Sequence, residues 1–181
     1  MGDGGSRDNV IGPVDPMKVP RFAGPATYAR LPTLEAVGSA QVAILGVPFD
    51  RGVVYRPGPR FGPSAFRPRS TLLRPFTAWT RTEPFAPPGR LAGDVACTPF
   101  GIEQAIGEIE AAARSTYERA SHILAIGGDH TIALPMLRAA AARFGPLALV
   151  HFDAHLDTWN TYFGGARYTH GTPFRRAAEE G

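Results

Sequence analysis

Among the 181 residues there is one cysteine, Cys97, and one lysine, Lys18. A lone cysteine excludes an intrachain disulfide framework, and with it the small stapled secreted scaffolds, and it suits a reducing cytoplasm, where the chain is expected to reside. No stretch approaches the roughly 18 consecutive apolar residues of a membrane-spanning helix, so no membrane partner is expected. The N-terminal segment carries Asp3, Asp8 and Asp15 with Pro13, Pro16, Pro20 and Pro25, where a secretory leader would have an apolar run. Of the 19 basic residues all but Lys18 are arginines, set against 16 acids for a net charge of +3. Those arginines are scattered, densest between Arg51 and Arg74, and form no stripe of the kind that binds nucleic acid. With 44% hydrophobic and 19% charged residues, the composition is that of a single globular domain able to bury a core without staples.

Residues 1–40 are rich in Gly, Pro and Asp without a sustained period and read as an extended N-terminal arm, with at most a helical turn at 34–37. From Gln41 the sequence becomes Val-Ala-Ile-Leu-Gly-Val-Pro-Phe, a continuous apolar run of the kind found in strands buried on both faces. Residues 50–98 carry Pro and Gly every few positions and predict a long loop with short helical turns such as 63–67. A loop of that length is usually functional or interfacial. Ile102, Ile106, Ile109, Ala113 and Tyr117 recur at helical spacing, so residues 102–120 predict an amphipathic helix. His122-Ile-Leu-Ala-Ile predicts a second strand ending at Gly127-Gly128, residues 131–143 a second helix, and Leu147–Phe152 a third strand. Apolar strands alternating with helices point to an α/β fold with a parallel sheet.

All five histidines lie between positions 122 and 170. In Asp153-Ala-His155-Leu-Asp157 the period-two alternation of a strand puts Asp153, His155 and Asp157 on one face and Phe152, Ala154 and Leu156 on the other. This run, and Gly127-Gly128-Asp129-His130-Thr131, both fall at the carboxyl ends of predicted strands, where open α/β sheets bind ligands. If those strands are neighbours, His130 faces the same crevice. Two carboxylates within about 7 Å repel by roughly 2–3 kcal/mol at an effective dielectric near 20, which calls for bound positive charge. Imidazole and carboxylate without thiolate suit a divalent cation such as Mn, Fe or Zn. In a fully extended strand Asp153 and Asp157 would stand about 13 Å apart at Cα, so either the chain curls after His155 or more than one ion lies along it. Asp129 reads as the cap of the following helix, His151 as buried and hydrogen-bonded, and His122 as structural. The Arg51–Arg69 segment reads equally as a pocket rim, a subunit contact or an ordinary rigid loop.

Gly127-Gly-Asp-His-Thr followed by Phe152-Asp-Ala-His-Leu-Asp resembles the first two signatures of the ureohydrolase family of arginases and agmatinases. The stretches Gly46-Val-Pro-Phe-Asp-Arg-Gly, Arg56-Pro-Gly-Pro-Arg-Phe-Gly-Pro and His170-Gly-Thr-Pro-Phe-Arg-Arg are similar to the agmatinase branch. The resemblance covers about residues 40–176. It implies a three-layer αβα fold with a parallel sheet, with residues 41–181 forming the N-terminal part of a single ureohydrolase domain. It implies hydrolysis of agmatine or a similar guanidinoalkyl compound to urea and an amine, through a hydroxide bridging two Mn2+ ions. On that reading His130 and Asp157 bind one ion, His155 binds the other, Asp153 bridges them, and His170 shuttles protons. A homo-oligomer and a small guanidino substrate are the expected partners.

The family completes its site with a downstream Asp-x-Asp signature, and the only acids after Asp157 are Glu179 and Glu180. The chain therefore reads as a truncated ureohydrolase, inactive by itself. Two alternatives stand beside the hydrolase: a catalytically silent metal-binding or assembly subunit, and a mononuclear zinc enzyme acting on a different amide.

Overall fold

The computed structural model describes residues 13–74, 76–83, 85 and 89–181. Its centre is a three-stranded parallel sheet of β1 (Ala40–Val47), β2 (Gly89–Asp94) and β3 (Ala120–Gly127), in the order β2-β1-β3. β1 pairs with β3 from Ala40↔Ala120 to Val47↔Gly127, and with β2 from Val42↔Gly89 to Gly46↔Asp94. Flanked on both sides, β1 has Ala43, Ile44, Leu45 and Val47 buried, which is why it carries an unbroken apolar run.

Alternation along β1 divides the core. Leu45 and Val47 join Phe49, Val95, Ala105, Ile109, Ala113 and Ala139 on the face covered by α3 (Ile102–Arg119) and α4 (Ala133–Phe144). Ile44 points the other way, to Leu91, Tyr28, Ala29 and Leu31. On that second side lies α2 (Gly62–Ser70), tied down by the Tyr28 hydroxyl donating to Pro63 O at 3.1 Å. Helices thus cover both faces of a parallel sheet, the three-layer αβα arrangement. Within α3 the predicted stripe is the buried one: Ile106 and Ile109 are enclosed, each contributing about 1.5–3 kcal/mol by leaving water. α4 ends at Gly145, whose φ of 82° suits a residue without Cβ.

Two strand expectations require correction. Leu147–Phe152 forms no strand. It has no ladder partner among the described residues, and Leu147, Leu149, Val150 and Phe152 are exposed. A strand exists only through a neighbour, and among the described residues none pairs with this segment. Conversely, β2 falls inside the predicted loop of 50–98. Gly89-Arg-Leu-Ala-Gly-Asp lacks an apolar run because it is an edge strand, and it is irregular, with a register shift between Ile44 and Leu45 of its partner.

The arm read for 1–40 has its first twelve residues outside the described ones. Tyr28, Ala29 and Leu31 pack into the core beside Ile44, and α1 (Leu34–Val37) is capped by the Thr33 side chain accepting from Ala36 N. No helix among the described residues is long and apolar enough to cross a membrane.

Candidate metal centre

β3 runs out at Gly127 and the chain turns sharply into a short 3-10 turn, His130–Ile132, that leads into α4. Gly128 allows this turn: a Cβ there would overlap the backbone of Phe49. Asp129 fixes the turn from two sides. Its Oδ1 accepts from Thr131 N at 2.8 Å and its Oδ2 from Gly52 N at 2.8 Å, so it caps the helix and also tethers the loop after β1. Burial pushes the Asp129 carboxyl above the usual carboxylate range, while the two N–H groups pull the other way.

The fixed turn presents His130 to the segment 151–157. Its Nδ1 lies 2.5 Å from Asp157 Oδ2 and 3.4 Å from Asp153 Oδ2. His151 Nε2 is also 3.4 Å from Asp153 Oδ2. His130, His151 and Asp153 each offer one ligand atom within 4.8 Å of the others. The chain does curl after His155: Asp157 has φ 50°, in the left-handed region, and this turns its carboxylate back toward His130. Phe174, at the start of α5 (Pro173–Glu180), supports the imidazoles, with ring centroids 5.2 Å from His130 and 4.4 Å from His151. Its N–H donates to Asp157 O at 3.2 Å, which anchors the curled turn.

His155 lies differently. Its side chain is 81% exposed and its Nδ1 is 3.6 Å from Asp153 Oδ1, on the outer side of that carboxylate. The His155 N–H donates to Asp153 Oδ1 at 3.0 Å, and this bond, with His151 and His130 alongside, holds the Asp153 carboxyl below the usual carboxylate range. His170 stands apart from the cluster. Its N–H donates to Gly52 O at 3.2 Å, its ring is 6.1 Å from that of Tyr162, and its Nε2 is buried without a partner.

His151 was read from sequence as a hydrogen-bonded core histidine, yet it joins the cluster. Period-two alternation sets His151, Asp153 and His155 on one face, but the segment forms no strand, and of the three only His151 and Asp153 join His130 in the cluster. Phe174 had no signal, since its contact with the imidazoles is made only by the fold.

The donor set fits a cation. Two imidazoles and two carboxylates converge, and His151 Nε2 is buried with no hydrogen-bond partner. His151 Nε2 faces Asp153 and can orient that carboxylate, and a donor set of imidazole and carboxylate without thiolate suits manganese, iron or zinc over soft copper.

A parallel sheet with helices on both faces and a His/Asp cluster beyond its carboxyl end define an α/β protein, and the chain belongs to the arginase family, whose model matches residues 40–181. It is 43% identical over 171 residues to guanidinopropionase of Pseudomonas aeruginosa, covering 93% of this chain and 53% of that protein. The mitochondrial agmatinase of Gallus gallus is 37% identical, over 97% of this chain and 51% of that protein. The structure of proclavaminate amidinohydrolase from Streptomyces clavuligerus superposes with a TM-score of 0.83 at 40% identity, over 89% of this chain and 54% of that one. Formiminoglutamase of Trypanosoma cruzi with Mn2+ superposes with a TM-score of 0.68 at 30% identity, over 77% of this chain and 48% of that one. The chain spans about half the length of the relatives it matches.

Proposed function

We propose that these residues form part of a site that hydrolyses a guanidino compound, agmatine or a similar guanidinoalkyl substrate, to urea and an amine, with two Mn2+ ions as cofactor. The observation that carries this reading is the convergence of His130, Asp153 and Asp157 from two separate segments at the carboxyl end of the sheet.

His130 and Asp157 would hold one ion, His155 the other, and Asp153 both. When bound, such a pair supplies positive charge that lowers the pKa of water and stabilises a developing anion. The protein's own part begins with Asp129, which fixes the His130 turn through Thr131 N and Gly52 N. The carboxylates of Asp153 and Asp157 supply the negative charge that would hold the ions. Hydrolysis consumes one water, breaks one C–N bond and leaves a proton for the departing amine nitrogen. His170 is the group assigned to carry that proton, supported by its free buried Nε2 and by its attachment to Gly52, which also holds Asp129.

The outward position of His155 favours a second reading, in which the 181 residues alone are a catalytically silent metal-binding or assembly subunit. The exposed Val150 and Phe152 support assembly into an oligomer. A cytoplasmic location rests on cysteine usage. Manganese titration followed by magnetic resonance separates the readings: two coupled ions per chain support the hydrolase site, and a single isolated ion supports the silent subunit.

A further inference from the structure

Beside the metal centre the loops enclose a second feature. A cavity of about 300 Å³ opens between the loop after β1 and the segment leading to α5, walled by Arg51, Val53, Phe100, Tyr162 and Thr169 among others. It adjoins the site by shared residues. Gly52 lines it and is bonded to both Asp129 and His170, and Thr169 directly precedes His170.

The charge of this cavity has one sign. Arg51 is the single charged residue among its lining, and it makes neither an ion pair nor a side-chain hydrogen bond with any described residue. Its neighbours differ. Arg60 is paired with Asp50 and Arg67 with Asp94. Asp50, next to Arg51 in the chain, is occupied by Arg60 and Gly58 N, and Asp129, which holds Gly52 N, by Thr131 N as well. Among the described lining residues there is no carboxylate to meet a second cation. The walls Val53, Val54, Phe100 and Ile102 suit a short methylene chain, and the hydroxyls of Tyr162 and Thr169 can donate to an oxygen.

The cavity therefore favours an anion: among the described lining residues Arg51 is a guanidinium without a counter-charge, in a pocket joined to the metal centre through Gly52. Resting on the reading of the site as a guanidino hydrolase, we infer that the substrate is a guanidino acid, its guanidinium at the metal centre and its carboxylate on Arg51. An Arg–carboxylate pair is charge-assisted and can be bidentate. A diamine-type tail such as that of agmatine would set its ammonium against Arg51, and like charges discriminate by repulsion as opposite charges do by attraction. Arg51 is exposed, so solvent screening limits the preference to about tenfold.

The test is binding to the manganese-loaded 181-residue chain, followed by ligand-observed NMR with 3-guanidinopropionate, 4-guanidinobutyrate, agmatine and tail-less methylguanidinium. Guanidino acids are expected to bind about tenfold more tightly than agmatine. In Arg51→Gln that preference disappears, and Arg51→Lys restores part of it. Equal binding of acids and agmatine, or a preference that survives Arg51→Gln while methylguanidinium still binds, overturns this inference and leaves the hydrolase reading standing. Failure of methylguanidinium and every other guanidino compound to bind overturns both.

Discussion

The Nδ1 of His130 and the Oδ2 of Asp157 lie 2.5 Å apart, although 27 positions separate them in the chain. The gap is closed by the left-handed backbone at Asp157, φ 50°, which bends a segment that would otherwise carry the carboxylate away along a straight line. Asparagine and aspartate tolerate this conformation, and β-branched residues do not. Asp157→Asn is therefore expected to melt within a few degrees of the parent while binding manganese more weakly. Asp157→Val is expected to lose about 1–2 kcal/mol in denaturant titration as well. Equal stability of the two variants would show that the turn is not under this constraint.

Asp50 gives a prediction about pH. It is buried, with Arg60 Nε 2.5 Å from its Oδ1 and Gly58 N 2.7 Å from its Oδ2, and the Arg60 hydrogen bond holds its carboxyl below the usual range. A carboxyl whose folded pKa lies below its unfolded value of about 3.9 contributes fully above that value, and the contribution fades as pH falls through the folded pKa. Asp50→Ala is expected to cost about 2–3 kcal/mol at pH 7, since it strands a backbone donor and a guanidinium. The difference between variant and parent should shrink in urea melts below about pH 4. A gap that stays constant down to pH 2 would assign the cost to packing.

Gly128 tests the local architecture under the site. A Cβ at this position overlaps the backbone of Phe49, which cannot move without disturbing β1. Gly128→Ala is expected to lower stability by about 2–3 kcal/mol and to displace His130, so that metal affinity falls with it. Thermal melts with and without manganese read both effects. A variant with unchanged melting and metal binding would mean that the turn has slack.

Much of this was readable in the sequence, for physical reasons that differ by element. α3 and β1 were legible because each satisfies its own rule: a stripe at helical spacing on one face, and an unbroken apolar run where both faces are covered. β2 was hidden because an edge strand with two glycines and an arginine carries no such run, and only β1 makes it a strand. The segment Leu147–Phe152 has strand-like residues and no pairing neighbour among the described residues, so composition promised what pairing did not deliver. At the site, the spacing of Asp153, His155 and Asp157 singled out the segment and left a curl after His155 as one of two alternatives, while the shared strand face it implied does not form. Spacing could not give the outward position of His155, nor Phe174 beneath the two imidazoles, because both depend on how distant segments meet.

The 181-residue chain with added manganese is expected to release no measurable urea from agmatine. Hard divalent cations take about six ligands each, and four protein groups leave both ions dependent on water. In a preorganised site a misplacement of about 1 Å can cost roughly a hundredfold in rate. A colorimetric urea assay checks this, and turnover near 10 per second, typical of enzymes, would mean that another group completes the site.

Metal content in the parent, Asp153→Asn and His151→Asn tests the central claim most directly, by equilibrium dialysis against manganese followed by elemental analysis. Asp153 is the carboxylate that His130, His151 and His155 all approach, at 3.4, 3.4 and 3.6 Å. The parent is expected to retain manganese and Asp153→Asn to lose it. His151→Asn should retain it with affinity reduced by about 10-fold, as for a residue that orients a ligand. Manganese retained equally by the parent and Asp153→Asn, or by neither, would contradict the assignment of this cluster as the metal centre.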